Sequence, residues 1–373
     1  MIWYVYVLFR TICSLWFRAV HKYGDESVSI ETLRQAVQFN CDLSDREFAA
    51  DYSSCIYLIR MREYYRWAHG IAPNESLDQG RLMEWVSRTE ARWDAIPEQQ
   101  IVPLEYAGQS FDAFDAEGLN RLLHPQGYVY SAGYGRFAKP VFMLAELQSI
   151  EHTDRYNLTI AGKEMARELT APPATLQSNN ILIRSEAVSR LIWDLLEEWQ
   201  WHRPDNAMAQ LVQYYDFEHA PLEALERAGS DQQEVLILHE IGELVAEELV
   251  SPRWNEMLSQ GDRHRHLFAR AVRDCLADCV STLPGLLVDE NLPGIHFYFA
   301  SLNPLRKSMF PSLAEGYRQW SQGGSLQAVK RAVKRGQTHW LNTAKSLTDE
   351  FMAGEARNRE SHTVQAYVEQ YAL

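Results

Sequence analysis

The sequence predicts a mainly α protein, a multi-helix bundle with a small antiparallel β-sheet insertion near its middle, α+β overall. Three observations predict it. Segments on both sides of the middle repeat apolar residues every three to four positions, the period of a helix with one buried face. Between about 141 and 184 the pattern changes to short apolar runs bounded by polar or proline-containing stretches, as in short strands. A chain of 373 residues with 46% hydrophobic and 12% aromatic content can bury a sizeable core. The expected organisation is an apolar extension at 1–27, an N-terminal helical region at 28–140, the β insertion at 141–184, a C-terminal helical domain at 185–351 and a polar tail at 352–373.

The first twenty residues are strongly apolar, but Arg10 interrupts them. No basic stretch precedes them and no small-residue cleavage site follows, so they do not read as a signal peptide, and as a membrane span they are short. Globular patterning begins near Ser29, which suggests a translation start close to Val28; if residues 1–20 are translated, they are the one stretch expected to meet a membrane, as an interfacial amphipathic anchor. Ser44-Asp-Arg-Glu47 has the spacing of a capping box and predicts a helix running to about Trp67. Tyr52, Ile56, Ile59 and Trp67 fall on one face of it, with Glu63 in their midst. An unpaired buried acid is costly, so Glu63 should meet one of Arg60, Arg62 or Arg66 or serve as a ligand.

A second helix is expected over Gly80–Trp93, burying Leu82, Trp85, Val86 and Trp93, and a short one over Asp115–Leu123. Gly127–Tyr134 reads as a strand, and Gly133-x-Gly135 lacks the lysine and third glycine of a phosphate loop. Strands follow at Val141–Leu147, Tyr156–Ile160 and Ile181–Arg184, with Thr170–Asn180 as a loop. Ser185–His202 is helical, with Val188, Ile192 and Leu196 inward and Glu198 and His202 at the border one turn apart. A helix at Ala207–Tyr215 and a loop lead to Gln233–Leu249, the cleanest helical period in the chain. Its apolar arc is Val235, Ile237, Leu238, Ile241, Val245 and Leu249, with His239 and Glu243 at the border and Glu240 further round. His264–Leu283 should bury Phe268, Val272, Leu276, Cys279 and Leu283 and present Arg270, Arg273, Asp274 and Asp278 on its other side. Pro284–Pro293 reads as a loop, Gly294–Ala300 as a short buried segment, and 312–351 as a last helical region. The cations at 330, 331, 334 and 335 read as a solvated face, and the tail from Ala353 as loose.

A formal net charge of −14 argues against general binding to nucleic acid, whose phosphates ask for a basic surface. The five cysteines include no C-x-x-C pair, so reduced core thiols in a cytoplasmic protein are expected. The chemistry-bearing candidates are Glu63, Glu198, His202, His239, Glu243, Asp274 and Asp278. Carboxylates and imidazoles projecting inward from several helices are what di-iron or di-manganese bundles use, because these ions take oxygen and nitrogen donors. The signature there is Glu-x-x-His, whereas this chain has Glu-x-x-x-His and His-x-x-x-Glu. HEIGE at His239–Glu243 falls one residue short of the H-E-x-x-H of zinc peptidases, Glu243 standing where the second histidine would be.

RMREYYRW at Arg60–Trp67, YSAGYGRFAKP at Tyr130–Pro140, LHEIGE at Leu238–Glu243, RAVRDCLADCVSTLP at Arg270–Pro284 and HFYFA at His296–Ala300 resemble the recurring blocks of an uncharacterised family of hypothetical proteins from proteobacteria. The resemblance spans roughly Ser29 to Trp340 and implies a cytoplasmic setting but no activity. Two expectations stand side by side. One is a His/carboxylate seam that holds iron or manganese and makes the protein an oxidoreductase of the di-iron type. The other is a non-catalytic scaffold or interaction protein in which the same charges form a structural ion-pair network.

Overall fold

The structure, a computed structural model, describes residues 30–97, 100–135, 138–260, 263–353 and 363–373, so the apolar run at the start lies outside the described residues. These residues are mainly helical, with one five-stranded and one two-stranded sheet. They fall into two compact units, one running up to Ser149 and including Ala161–Ala171, the other made of Ile150–Ile160 and Pro172–Leu373.

The first unit starts with helix α1 (residues 30–48). Ser44 lies inside this helix and does not open a new one: its hydroxyl donates to the Pro140 carbonyl at 2.6 Å instead of capping. The break comes later, at a 3-10 turn over Ala49–Asp51, and Ser53 caps α2 (Ser54–His69) by accepting from the Ile56 amide. The buried face of α2 also differs from the expected one. Met61, Glu63, Tyr64 and Arg66 are buried, whereas Ile56 and Ile59 are each 48% exposed. Tyr64 stacks on Trp67 and meets Trp85 of α3 (Gln79–Asp94) edge-on, and these large rings determine which side of α2 turns inward.

A hairpin missed by the sequence reading follows, β1 (Leu104–Tyr106) and β2 (Gln109–Phe111), turning through Ala107 and Gly108 with positive φ. Its strands are three residues each, too short for a periodicity to register. Then come α4 (Ala116–Leu123), β3 (Tyr128–Tyr134), β4 (Pro140–His152) and β5 (Asn157–Arg167). β3 and β4 pair antiparallel from Tyr128 opposite Glu146 to Tyr134 opposite Pro140. Gly133 is therefore a strand residue, opposite Val141, and has no part in a phosphate loop.

The expected loop at Thr170–Asn180 contains β6 (Ala174–Gln177), which pairs antiparallel with β7 (Asn180–Arg184). The sheet order is β3-β4-β5-β7-β6.

The second unit continues with α5 (Ser185–Gln200), α6 (Ala207–Tyr215), α7 (Pro221–Asp231) and α8 (Gln233–Leu249). After α9 (Trp254–Gln260), α10 (Arg263–Ala277) runs through a π turn at Asp278–Thr282 into α11 (Leu283–Val288). Then follow α12 (Leu292–Ser301), α13 (Pro304–Met309), α14 (Pro311–Ser321), α15 (Gln327–Met352) and α16 (Val364–Tyr371). Pro284–Pro293 is thus largely helical, because prolines at the first turns of α11 and α12 start those helices without needing an amide partner. The tail is not loose where it is described: Tyr367 of α16 stacks on Phe268 of α10 with ring centroids 4.9 Å apart. One apolar core runs through these helices, from Val188 and Leu211 to Trp340 and Leu347.

Candidate functional site

The second unit's polar centre forms where α8 meets α10 and its π turn. Near-contact is possible because position 242 is glycine: a Cβ there would lie 2.5 Å from the Ala277 carbonyl oxygen. The helices approach backbone to backbone at that point, and the side chains on either side of Gly242 face the residues flanking Ala277. α8 packs against β6 and β7 as well as α10, so more than one face is covered. For that reason Glu240, which lies beyond the border of the apolar arc, is buried, while Leu249, within that arc, is 43% exposed.

The π turn has a local chemical cause. Pro284 lacks the amide that would continue the helical ladder, and the Leu283 amide reaches back to the Asp278 carbonyl across the wider turn. The Cys279 carbonyl thereby released accepts from Gln337 Nε2 of α15 at 2.7 Å. Ser281 in the same turn donates to the Leu238 carbonyl of α8 at 2.7 Å.

Asp278, at the start of that turn, is only 1% exposed and gathers donors on both oxygens. Oδ1 faces His239 Nδ1 at 2.9 Å and the Thr282 hydroxyl at 3.3 Å. Oδ2 accepts from the Tyr298 hydroxyl at 2.8 Å and from the Arg306 guanidinium. A carboxylate is acceptor-only, so Nδ1 of His239 carries a proton toward Asp278, and Nε2 is the nitrogen turned toward Glu243. Nε2 lies 3.7 Å from Glu243 Oε1, and Glu243 Oε2 accepts from Arg273 Nη2 at 2.8 Å. His239, Glu243 and Asp274 each place one potential ligand atom within 4.8 Å of the other two. Burial pushes the neighbouring Glu240 carboxyl up to about 7, reinforced by Glu243 and opposed by His239 and Arg273.

Four of the seven sequence candidates therefore meet, in two roles: His239, Glu243 and Asp274 converge, and Asp278 binds the opposite edge of the imidazole. The rest lie elsewhere. Glu63, in the first unit, has Arg62 Nε at 2.8 Å and Arg66 Nε at 3.7 Å, the structural pairing considered from the sequence. Glu198 and His202 line a cavity of about 420 Å³ in the second unit, walled by Trp199, Met208, Phe299 and Tyr317 among others. Neither joins the His239 group. The sequence reading missed Glu240, Gly242, Tyr298 and Arg306. A glycine inside a strong helical period is a signal of close packing, and Gly242 was open to that inference. Tyr298 and Arg306 carry no local signal. Cys275 and Cys279 are buried free thiols, and burial pushes Cys275 up to about 12.

Beside the cavity, the ring of His296 stacks on Trp320, and its Nδ1 lies 2.8 Å from the Tyr317 hydroxyl. Burial lowers His296 to about 4 from an ordinary 6.5. Between those values the unfolded chain binds a proton that the folded one does not. Stability conferred by the neutral ring is complete above pH 6.5, falls as the pH drops and is lost below about 4. The loss expected from His296 itself is about 2–3 kcal/mol between pH 7 and 4. Denaturant titrations of wild type and His296→Phe at both pH values should show the variant losing about 2 kcal/mol less; equal losses would refute the assignment.

Two family models match the chain: the N-terminal domain of a family of unknown function, DUF6866, over residues 32–184, and the C-terminal domain of the same family over residues 189–370. No curated protein and no solved structure matches it.

Proposed function

We propose that this chain, which belongs to the DUF6866 family of unknown function, binds one divalent transition-metal ion through His239, Glu243 and Asp274. The observation that carries the reading is the convergence of these three ligand atoms within 4.8 Å. The 2.9 Å bond from His239 Nδ1 to buried Asp278 supports it, since a carboxylate on the far nitrogen fixes the tautomer and orientation that a metal-binding imidazole needs. One nitrogen and two carboxylate oxygens suit manganese, iron or zinc. Three protein ligands would leave coordination positions for water, and the ion would make that water more acidic or polarise a bound carbonyl or phosphoryl oxygen. The residues that converge favour a single ion over a di-iron centre, because Glu63, Glu198 and His202 stand outside the group.

The competing reading is a structural ion-pair network, favoured by Arg273 on Glu243 and Arg306 on Asp278. In that account Arg273 supplies the positive charge that the carboxylates require. Elemental analysis separates the two. Protein expressed with iron, manganese and zinc supplied should carry close to one ion per chain, and His239→Ala and Asp274→Asn should carry under a tenth of that. Wild type with under about a tenth of an ion, folded and dialysed, would remove the metal reading and leave the network. Asp278→Asn keeps all three ligands and should still bind, with about 10- to 100-fold weaker affinity in a competition titration against a chelator. Unchanged affinity would show that Asp278 does not position His239.

A further inference from the structure

We infer that the cavity holding Glu198 and His202 is a second binding site, for a zwitterion with a large apolar body, the chemistry of a free amino acid with an aromatic side chain. It shares no residue with the His239 group and does not depend on the metal reading. Its volume of about 420 Å³ is within the range of small-molecule pockets. Two kinds of surface meet in it.

The walls are mostly apolar, with Leu195 of α5 and Met208 of α6 beside three aromatic residues, Trp199 of α5, Phe299 of α12 and Tyr317 of α14. Two of them are held in place. Tyr317 lies against Phe299 with ring centroids 4.1 Å apart and is bound through its hydroxyl to His296. Trp199 donates its indole N–H to the Pro204 carbonyl at 2.9 Å, and the Arg203 guanidinium lies over its ring, 5.8 Å from the centroid, so its polar edge is satisfied and its orientation fixed. A preformed aromatic wall favours a flat apolar group, since burying it costs no rearrangement.

Charge is confined to the exposed lining residues. Glu198 supplies a carboxylate and Lys307 an ammonium, and neither has an ion-pair partner among the described residues. A purely anionic ligand would be attracted by Lys307 and repelled by Glu198, and a purely cationic one the reverse. A ligand with both charges satisfies both residues, its ammonium toward Glu198 and its carboxylate toward Lys307, while its apolar part enters the cavity. Each contact is exposed to water, so each contributes a few-fold, with most of the affinity coming from the buried ring.

The test is calorimetric titration of the full chain with three probes that share a ring and differ in charge: L-phenylalanine, 3-phenylpropionate and 2-phenylethylamine. L-phenylalanine should bind saturably and about threefold or more tighter than either analogue. Lys307→Met should remove its advantage over 2-phenylethylamine, and Glu198→Gln its advantage over 3-phenylpropionate. Both substitutions are at exposed positions, so folding is preserved. Ala300→Trp, which fills the cavity from its lining, should abolish binding of all three. The proposal is overturned by no saturable binding up to about 10 mM, by either analogue matching L-phenylalanine, by rim variants that leave the ranking unchanged, or by full binding in a folded Ala300→Trp.

Discussion

Lys139→Met is expected to destabilise the protein by about 3–5 kcal/mol at neutral pH, because it strands a carboxylate for which Lys139 is the paired cation among the described residues. Asp45 is fully buried, accepts from Lys139 Nζ at 2.6 Å, and takes a second bond from the Leu169 amide at 2.9 Å. Burial pushes Asp45 up to about 6 even with Lys139 beside it, and nearby Glu168 adds to the push. Lys139 loses by its own burial and is held up by Asp45, so each ion is tolerable only because of the other. Without the ammonium, the Asp45 carboxyl must rise further and take a proton near neutrality. A carboxyl with a raised folded pKa is stabilising below its unfolded value of about 3.8 and loses that contribution as the pH climbs through its folded value. The deficit of Lys139→Met should therefore be large at pH 8 and shrink toward pH 5, as read by denaturant midpoints at both. Adding Asp45→Asn should recover most of the loss at pH 8. A deficit independent of pH would mean that the lost packing of the lysine stem outweighs the loss of its ammonium, whose Nζ also lies 5.9 Å from the Tyr52 ring centroid.

That pair shows where a sequence can be read and where it cannot. The helices at Gly80–Trp93, Ala207–Tyr215 and Gln233–Leu249 were legible because a one-sided apolar period directly reflects a one-sided environment. Ser44 and Asp45 look like a helix start because local hydrogen bonding is all the sequence displays, yet their partners are Pro140 and Lys139, nearly a hundred residues on. The failure on α2 has the same root, since Tyr64, which lies off the face the period favoured, is drawn inward by its contacts with Trp67 and with Trp85 of α3. At the candidate site, His239 and Glu243 were legible as an i, i+4 pair on one helix, and Asp274 and Asp278 as another. The meeting of the two pairs was not, because it depends on how closely two backbones approach. Glu198 and His202 form an equally good pair by spacing and face a different cavity. Spacing reports which side chains share a helix face; only tertiary packing reports what that face meets.

Gly242→Ala is therefore the substitution with the most direct bearing on the site, although it removes no ligand. The added methyl would lie 2.5 Å from the Ala277 oxygen and 2.9 Å from its carbonyl carbon, both backbone atoms that no rotamer change can move aside. Either α8 or α10 must shift, and α10 is tied at the π turn by Gln337 on Cys279 and by Ser281 on Leu238. Overpacking of this kind costs about 2–3 kcal/mol, only partly offset by the gain in helix propensity of about 1 kcal/mol from alanine. Local displacement should exceed what the 2.9 Å bond between His239 and Asp278 tolerates, since both residues lie within four positions of the clash. Two readouts are expected to move together: a lower thermal midpoint, and a metal content below that of wild type in protein that remains folded by circular dichroism. Gly285→Ala is the matched control. Its added methyl would meet the Leu238 side-chain methyls at 3.0 Å, which can rotate away. It should cost under about 1 kcal/mol and leave metal content intact. If Gly242→Ala folded with wild-type stability and metal content, close approach at Ala277 would not be what assembles His239, Glu243 and Asp274.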